Sequence, residues 1–187
     1  MHRDGHVGMN LLLYAPVAFG LAWVGMVTPL AWGLLGTVLL STLPDVDRYT
    51  SLLTHRGFTH TVLFALVVGV LLGGAGALAA NQGLGASLGL STVELADTSA
   101  TVAGGAFGFF VGAFAVVGHL VGDAFTPMGV APWEPFSDRR HSLGWFDADS
   151  DVANRLWLGT GIVLFLLAVL VGTLLRTGVL AVEPGAI

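Results

Sequence analysis

Long uncharged runs separated by short polar segments dominate the hydrophobic pattern of this chain. No residue from Val7 to Pro44 carries a formal charge. A single helix over residues 11–43 would be about 50 Å long, whereas the hydrocarbon core of a bilayer is about 30 Å thick. Thr28-Pro29 offers a break, because proline lacks a backbone donor and disfavours helical geometry in the residue before it. The pattern therefore predicts two helices, over residues 10–27 and 30–43.

Three further apolar runs, over residues 61–80, 99–118 and 156–175, each match the roughly 20 residues that a membrane-spanning helix needs. The chain is therefore predicted to be all-α, one integral membrane domain over residues 1–187 with five spans. Residues 81–98 are rich in glycine, serine and threonine and predict a loop. Residues 121–155 contain several prolines and tryptophans and predict a folded cap. Glycines within the third and fourth spans predict close helix packing.

Composition agrees with a membrane protein and narrows the chemistry. The chain is 55% hydrophobic and 10% charged, with a mean hydropathy of +0.83. It has no cysteine, so any metal must be held by nitrogen and oxygen ligands. The net charge of −5 and the lack of a basic run argue against nucleic acid as the main partner.

The arginines give a predicted orientation. Five spans place the N-terminus, residues 44–60 and residues 121–155 on one side, which then carries all the arginines except Arg176. The positive-inside rule makes that side cytoplasmic. The same face receives all six histidines: His2, His6, His55, His60, His119 and His141.

The stretch HLVGD places His119 and Asp123 four residues apart at the end of the fourth span. Residues at this spacing share a helix face, so both side chains can ligate one ion. An ionisable pair at the membrane boundary predicts a metal or proton function. The alternative is a pair that only holds two helices together.

The stretch LPDVDRYTSLLTHRGFTH, residues 43–60, contributes a second group. Asp45 and Asp47 follow a proline, where alternate residues can point to one metal or bridge two. His55 and His60 precede the third span, and His6 precedes the first. For the carboxylates, the alternative is helix capping and salt bridges to Arg48 and Arg56. His2 is a weaker candidate because it lies so near the terminus.

The string SDRRHS predicts an anion-binding cluster of Arg139, Arg140 and His141. The arginine fork matches phosphate oxygens, and Arg56 is a further candidate of this kind. The alternative is a basic surface that touches anionic lipid headgroups.

The motifs LPDVD, THRGFTH, HLVGDAFT and RRH, in this order, resemble the LexA-regulated, membrane-bound metal-dependent hydrolase family (YdjM-like). The resemblance extends from His6 to the fifth span. It implies a distant similarity to zinc-dependent phospholipase C and nuclease P1 type enzymes, and hydrolysis of a phosphoester, including one in a lipid. The positions that match the motifs as metal ligands are His6, Asp45, Asp47, His55, His60, His119 and Asp123.

The expected function is that of a metal-dependent hydrolase at the cytoplasmic membrane face, with membrane lipids as partners. Zn²⁺ suits an imidazole-rich site, with Mn²⁺ or Mg²⁺ as alternatives. Asp45 or Asp47 is expected to act as general base, and Arg56, Arg139 and Arg140 to neutralise charge on phosphate oxygens.

Two other classes of function stay open. One is a non-catalytic, metal-binding structural or regulatory membrane protein. The other is an ion transporter, which is disfavoured because no span centre contains a charge or a histidine.

Overall fold

The computed structural model describes residues 1–50, 55–81 and 98–179, which form an all-helical protein. The long helices are α1 (Arg3–Val24), α2 (Val27–Leu40), α3 (Val62–Asn81), α4 (Thr98–Ala124) and α5 (Asp151–Arg176). Two short 3-10 helices, η1 (Leu43–Tyr49) and η2 (Phe58–His60), lie between α2 and α3. These described ranges contain no β-strand. Most of the loop predicted over residues 81–98 lies outside them.

Among the described residues, five helical segments are long and apolar enough to cross a membrane. The second of them combines α2 with η1, over Val27–Tyr49. The combination matters because the 14 residues of α2 span only about 21 Å at 1.5 Å per residue. The predicted fold class, all-α with five membrane spans, is confirmed.

The break between α1 and α2 lies at Gly25, so the prediction of a break at Thr28-Pro29 was wrong. Gly25 has a φ of 79°, and its N–H donates to Ala22 O at 3.1 Å. The Met26 N–H donates to Leu21 O at 2.8 Å. These two bonds form a Schellman motif, which satisfies carbonyls at the end of a helix and favours glycine at the left-handed position. Pro29 lies in the first turn of α2, where its missing donor costs nothing.

Three helices extend further than their apolar runs predicted. α1 begins at Arg3 instead of residue 10, α4 continues past residue 118 to Ala124, and α5 begins at Asp151 instead of residue 156. Ser150 caps α5 by accepting a bond from the Ala153 N–H at 3.3 Å. The apolar runs identified only the uncharged part of each helix, because the added turns contain charged and polar residues. As a result, His6 and His119 lie within rigid helices rather than beside them.

Helix pairing depends on glycine at the points of closest approach. α1 packs most extensively on α5, and α3 packs most extensively on α4. A methyl group on Gly104 of α4 would lie 2.7 Å from the carbonyl oxygen of Gly76 on α3. A methyl group on Gly161 of α5 would overlap the backbone of Gly8 on α1. The close packing predicted for the glycines of the third and fourth spans is therefore confirmed, and α1 and α5 use the same device.

The connection from α4 to α5 is folded, as predicted. The Val62 N–H donates to Pro132 O at 2.9 Å, and the Trp145 N–H donates to Phe125 O at 2.9 Å. The rings of Phe125 and Trp145 meet edge to face with centroids 4.9 Å apart. These contacts hold the connection against the start of α3 and the end of α4.

Candidate metal centre

Ionisable side chains from four segments meet where α1 begins and α4 ends. His6 lies in the first turn of α1. His119 and Asp123 lie on one face of the last turns of α4, as their spacing predicts. η1 follows α2 and carries Asp45, and η2 carries His60 just before α3. Every one of these positions is at or near a helix end, so the polar side chains collect at one end of the helices.

Two groups of three side chains have ligand atoms close enough together to hold a metal ion. The first group is His6, Asp45 and His119, and the second is His60, His119 and Asp123. Within each group the ligand atoms lie within 4.8 Å of one another. Because His119 belongs to both groups and offers one ligand atom, the two groups describe alternative or overlapping ion positions.

The centre is almost entirely shielded from solvent. The side chains of His6, His60 and His119 have no exposed surface, and that of Asp123 is 1% exposed. The Asp45 side chain is 13% exposed. Of these five side chains, Asp45 is therefore the one through which solvent reaches the centre.

Hydrogen bonds fix the tautomer of His119. Its Nδ1 lies 2.8 Å from the carbonyl oxygen of Ser41, which can only accept, so Nδ1 carries the proton. The Nε2 lone pair of the neutral ring then points towards Asp123 Oδ2 at 3.5 Å and His60 Nε2 at 3.2 Å. The ring also stacks on His6 with centroids 3.6 Å apart. The carbonyl of Ser41 and the stacked ring of His6 therefore hold His119 in the orientation of a metal ligand.

His60 is oriented in the same way from behind. Its Nδ1 lies 3.1 Å from Thr59 Oγ1 and 3.4 Å from Asp47 Oδ2. A proton on Nδ1 leaves the Nε2 lone pair directed at His119. Burial, with a smaller contribution from His119, lowers the pKa of His60 to about 3. The ring is therefore neutral near pH 7, which is the form that ligates metals.

His6 has unsatisfied polar atoms. Neither of its ring nitrogens has a hydrogen-bond partner, although both are buried. Its Nε2 lies 3.6 Å from Asp123 Oδ1 and 3.9 Å from Asp45 Oδ2, distances too long for hydrogen bonds. Leaving a buried polar group unpaired costs about 1–3 kcal/mol. A cation between these groups would give His6 the partner it lacks.

The Arg56 guanidinium is buried and points into the protein. Its Nη2 donates to Asp123 Oδ1 at 3.0 Å, and its Nη1 donates to Gly129 O at 2.8 Å and Thr126 Oγ1 at 3.2 Å. The α-amino nitrogen of Met1 also lies 3.3 Å from Asp123 Oδ1. These donors hold Oδ1, while Oδ2 faces His60 and His119. The structure places Arg56 beside a candidate ligand, where it neutralises and orients Asp123.

Asp47 lies behind His60 and is not a member of either three-residue group. Its side chain has no exposed surface. Oδ2 accepts the Arg56 N–H at 2.7 Å, and Oδ1 lies 3.2 Å from His55 Nδ1. Both carboxylate oxygens are thus engaged by protein donors. This is the position of a carboxylate that orients a ligating histidine, a recurrent partner of metal sites.

The remaining predicted residues lie outside the two groups. His55 contacts Asp47 and its side chain is 38% exposed. His2 is 48% exposed and its Nδ1 lies 3.5 Å from Asp151 Oδ1. Arg139, Arg140 and His141 are exposed in the connection between α4 and α5. His141 exchanges two backbone hydrogen bonds with Val130.

Sequence reasoning missed two residues of the centre. Ser41 contributes its backbone carbonyl to His119, and a carbonyl leaves no signal in a sequence. Thr59 contributes a hydroxyl to His60. Its place directly before His60 in the THRGFTH motif is a signal that could have identified it.

Comparison with known proteins places the chain in a family. No curated protein and no solved structure matches it. The model of the family described as YdjM inner membrane protein matches residues 1–181. That range includes both candidate metal groups and all five spans. The chain therefore belongs to the YdjM inner membrane protein family.

Proposed function

We propose that this protein is a membrane-bound, metal-dependent hydrolase that acts on a phosphoester at the cytoplasmic membrane face. The observation that carries the proposal is the pair of adjacent groups that share His119. The hydrolytic reaction, the likeness to phospholipase C and nuclease P1 type enzymes and the LexA-regulated expression are implied by the motif resemblance. The cytoplasmic orientation follows from the arginine distribution.

The donor atoms suit a divalent metal. Because His119 has one free lone pair, it would ligate one ion, either with His6 and Asp45, or with His60 and Asp123, or with members of both groups around a single position. The Nε2 atoms of His60 and His119 direct two lone pairs at each other across 3.2 Å, an arrangement that needs a cation or a proton between them. An imidazole-rich set with carboxylates favours Zn²⁺, with Mn²⁺ or Mg²⁺ as alternatives.

A divalent ion held by these histidines and carboxylates would supply Lewis acidity and lower the pKa of water from about 15.7 to about 7. Asp45 is the proposed general base, because its partly exposed side chain can take a proton from water and pass it to solvent. Asp47 has no such access, so its proposed part is to hold the proton on His60 Nδ1. Arg56 is proposed to orient Asp123 in the same indirect way.

Substrate binding is assigned to the exposed basic residues of the α4–α5 connection. Arg139, Arg140 and His141 are exposed, which leaves them able to meet a phosphate group. Arg56 was predicted to bind substrate as well, but its guanidinium is engaged by Asp123, Thr126 and Gly129. We therefore propose that Arg139, Arg140 and His141 bind the substrate phosphate.

The test is metal analysis and a phosphodiesterase assay on protein purified in detergent. Elemental analysis should find bound divalent metal, and bis(p-nitrophenyl) phosphate should be hydrolysed. In His119→Ala, metal affinity and turnover should each fall by more than about 100-fold. A loss of that size is the most that removal of a residue orienting a ligand typically causes, and His119 is itself a proposed ligand. The exposed His2→Ala is the matched control and should keep both. Purified protein that neither contains nor takes up metal would end the proposal.

A structural metal site is the second candidate, and the burial of the ligands favours it. Four segments meet at an almost closed centre, as in sites where the ion stabilises the fold. In that case a chelator would lower the thermal stability, while no phosphoester would be hydrolysed with or without metal. The structure gives no comparable support to ion transport. In the described helices, charged residues and histidines are confined to the first two or last two turns.

A further inference from the structure

An apolar groove runs between α1, α2 and α5 on the surface that faces lipid. Its volume is about 640 Å³, within the range of about 300–1,000 Å³ typical of ligand pockets. Every lining residue is apolar. The residues that define its course are Val7, Leu11, Leu34, Val38, Leu158 and Ile162.

The groove begins at the end of the helices that carries the candidate metal centre. Val7 directly follows His6 on α1. Val38 accepts the hydroxyl bond of Ser41, whose own carbonyl holds His119. The lining of α5 runs from Leu158 to Leu166, about 12 Å along the axis at 1.5 Å per residue. Half of the hydrocarbon core is about 15 Å thick, so the groove reaches from the metal centre towards mid-bilayer.

Two arginines lie one helical turn beyond the lining residues of α1 and α5, and Arg155 also lines a neighbouring groove with Gly159 and Val163. Arg3 precedes Val7 by four residues on α1, and Arg155 precedes Leu158 by three on α5. At these spacings, residues share a helix face. Both arginines are exposed, and within the described residues neither guanidinium has a hydrogen bond or an ion pair. An apolar channel with two cations at its mouth complements an amphiphile that has a hydrocarbon chain and a phosphate.

The groove suits an acyl chain better than a helix from a second copy. An apolar helix from a second copy would leave the two exposed arginines beside the groove without an anionic partner, whereas a lipid phosphate would pair with them. At this depth the surrounding medium is lipid hydrocarbon, which supplies chains of the required chemistry.

We propose that the groove binds an acyl chain of a phosphate-bearing diacyl lipid and that Arg3 and Arg155 contact its phosphate. The identification of this lipid as the substrate rests on the proposed function. The binding itself requires only the groove and the two arginines.

The protein is stripped of metal, so that no lipid is hydrolysed, and is placed in nanodiscs of digalactosyldiacylglycerol, a bilayer lipid without a phosphate. The discs contain a small fraction of phosphatidic acid that carries a diazirine on one acyl chain. After illumination, mass spectrometry locates the cross-links. They should concentrate on the groove residues Leu34 and Ile162, above the yield at Leu78, which is exposed on α3 outside the groove.

Variants test the two parts of the site separately. Ala31→Phe fills the groove and should abolish this enrichment, whereas Ala106→Phe, at an exposed position of α4, should leave it unchanged. Leu35→Trp is a second filling variant in case Ala31→Phe does not fold. Exchange of Arg3 and of Arg155 for glutamine should lower the yield about fivefold each. The yield from a diacylglycerol probe with the same chain should not change.

Equal labelling over the whole lipid-facing surface would overturn the proposal, because it would show ordinary boundary lipid. Cross-links between two protein copies through the groove would also overturn it in favour of a dimer contact. Neither result bears on bound metal or on hydrolysis of bis(p-nitrophenyl) phosphate. Conversely, enriched labelling in a protein that never binds metal would leave the lipid site standing while the hydrolase proposal failed.

Discussion

Two aspartates separated by one residue have different surroundings in this protein. Asp45 reaches solvent and belongs to a candidate ligand group, while Asp47 is buried behind His60. η1 places the first carboxylate towards α1 and α4 and turns the second towards η2. The distinction decides which side chain can exchange protons with water and which can only orient a neighbour.

Asp47→Asn tests the orienting function. The amide keeps the size of the carboxylate but weakens its hold on the His60 Nδ1 proton, so metal affinity should fall about 10- to 100-fold. Competition with a fluorescent chelator measures the affinity. The exposed Asp149→Asn is the matched control and should bind metal as the wild type does. Unchanged affinity in Asp47→Asn would contradict the assignment.

The metal-free protein should lose stability as the solution is acidified. The pKa of His60 is about 3 in the folded protein, against 6.5 for an unperturbed histidine. Between these values the unfolded chain binds a proton that the folded chain does not, so the free energy of unfolding decreases as pH falls. Thermal melts from pH 7 to pH 4 should show the decrease in wild type and a smaller one in His60→Gln. Equal pH dependence in both proteins would contradict the assignment to His60.

At the residue scale, the sequence indicated which side chains lie together in the candidate metal centre, but it could not assign a function to each of them. His6, Asp45, His60, His119 and Asp123 could be selected by charge in an apolar chain. The position of Asp47 behind a ligand depends on the local backbone, which spacing alone does not define. The inward direction of Arg56 depends on a φ of 57°. That conformation is uncommon outside glycine, and no motif indicated it.

At the scale of elements, hydrophobic runs predicted how many spans exist but not where the helices end. A helix continues into water as long as its backbone bonds and caps are satisfied, and hydropathy does not record this. The extra turns are the ones that bring His6 and Asp123 to the centre. The break at Gly25 depends on a left-handed conformation, which neither the hydrophobic pattern nor the nearby proline indicates.

Gly161→Ala tests the close contact between α1 and α5. Its methyl group would overlap the backbone of Gly8, and such overpacking typically costs about 1–3 kcal/mol. The thermal unfolding temperature in detergent should fall. Gly159→Ala is a matched control on the same helix, because a methyl group there meets nothing within 4 Å. An equal effect of both variants would show that helix propensity, not packing, decides the result.

At the scale of the whole molecule, the orientation in the membrane can be tested directly. The chain contains no cysteine, so a single introduced cysteine is a clean reporter. Asp138→Cys lies in the α4–α5 connection, and Val179→Cys lies beyond α5, on the opposite side by the span count. A membrane-impermeant maleimide applied to intact cells should label Val179→Cys, and Asp138→Cys only after lysis. The reverse pattern would place the N-terminus and the metal centre outside.

The two glycine-packed helix pairs also have a mechanical consequence. One pair, α1 with α5, carries His6, and the other, α3 with α4, carries His119 and Asp123. An ion with ligands from both pairs would link the two pairs of helices to each other. Because Asp45 alone among the five side chains of the centre has appreciable exposure, we expect the ion to leave faster when the two pairs separate. We therefore expect ion exchange to be slow, and to become faster in any variant that weakens the packing between the two helix pairs.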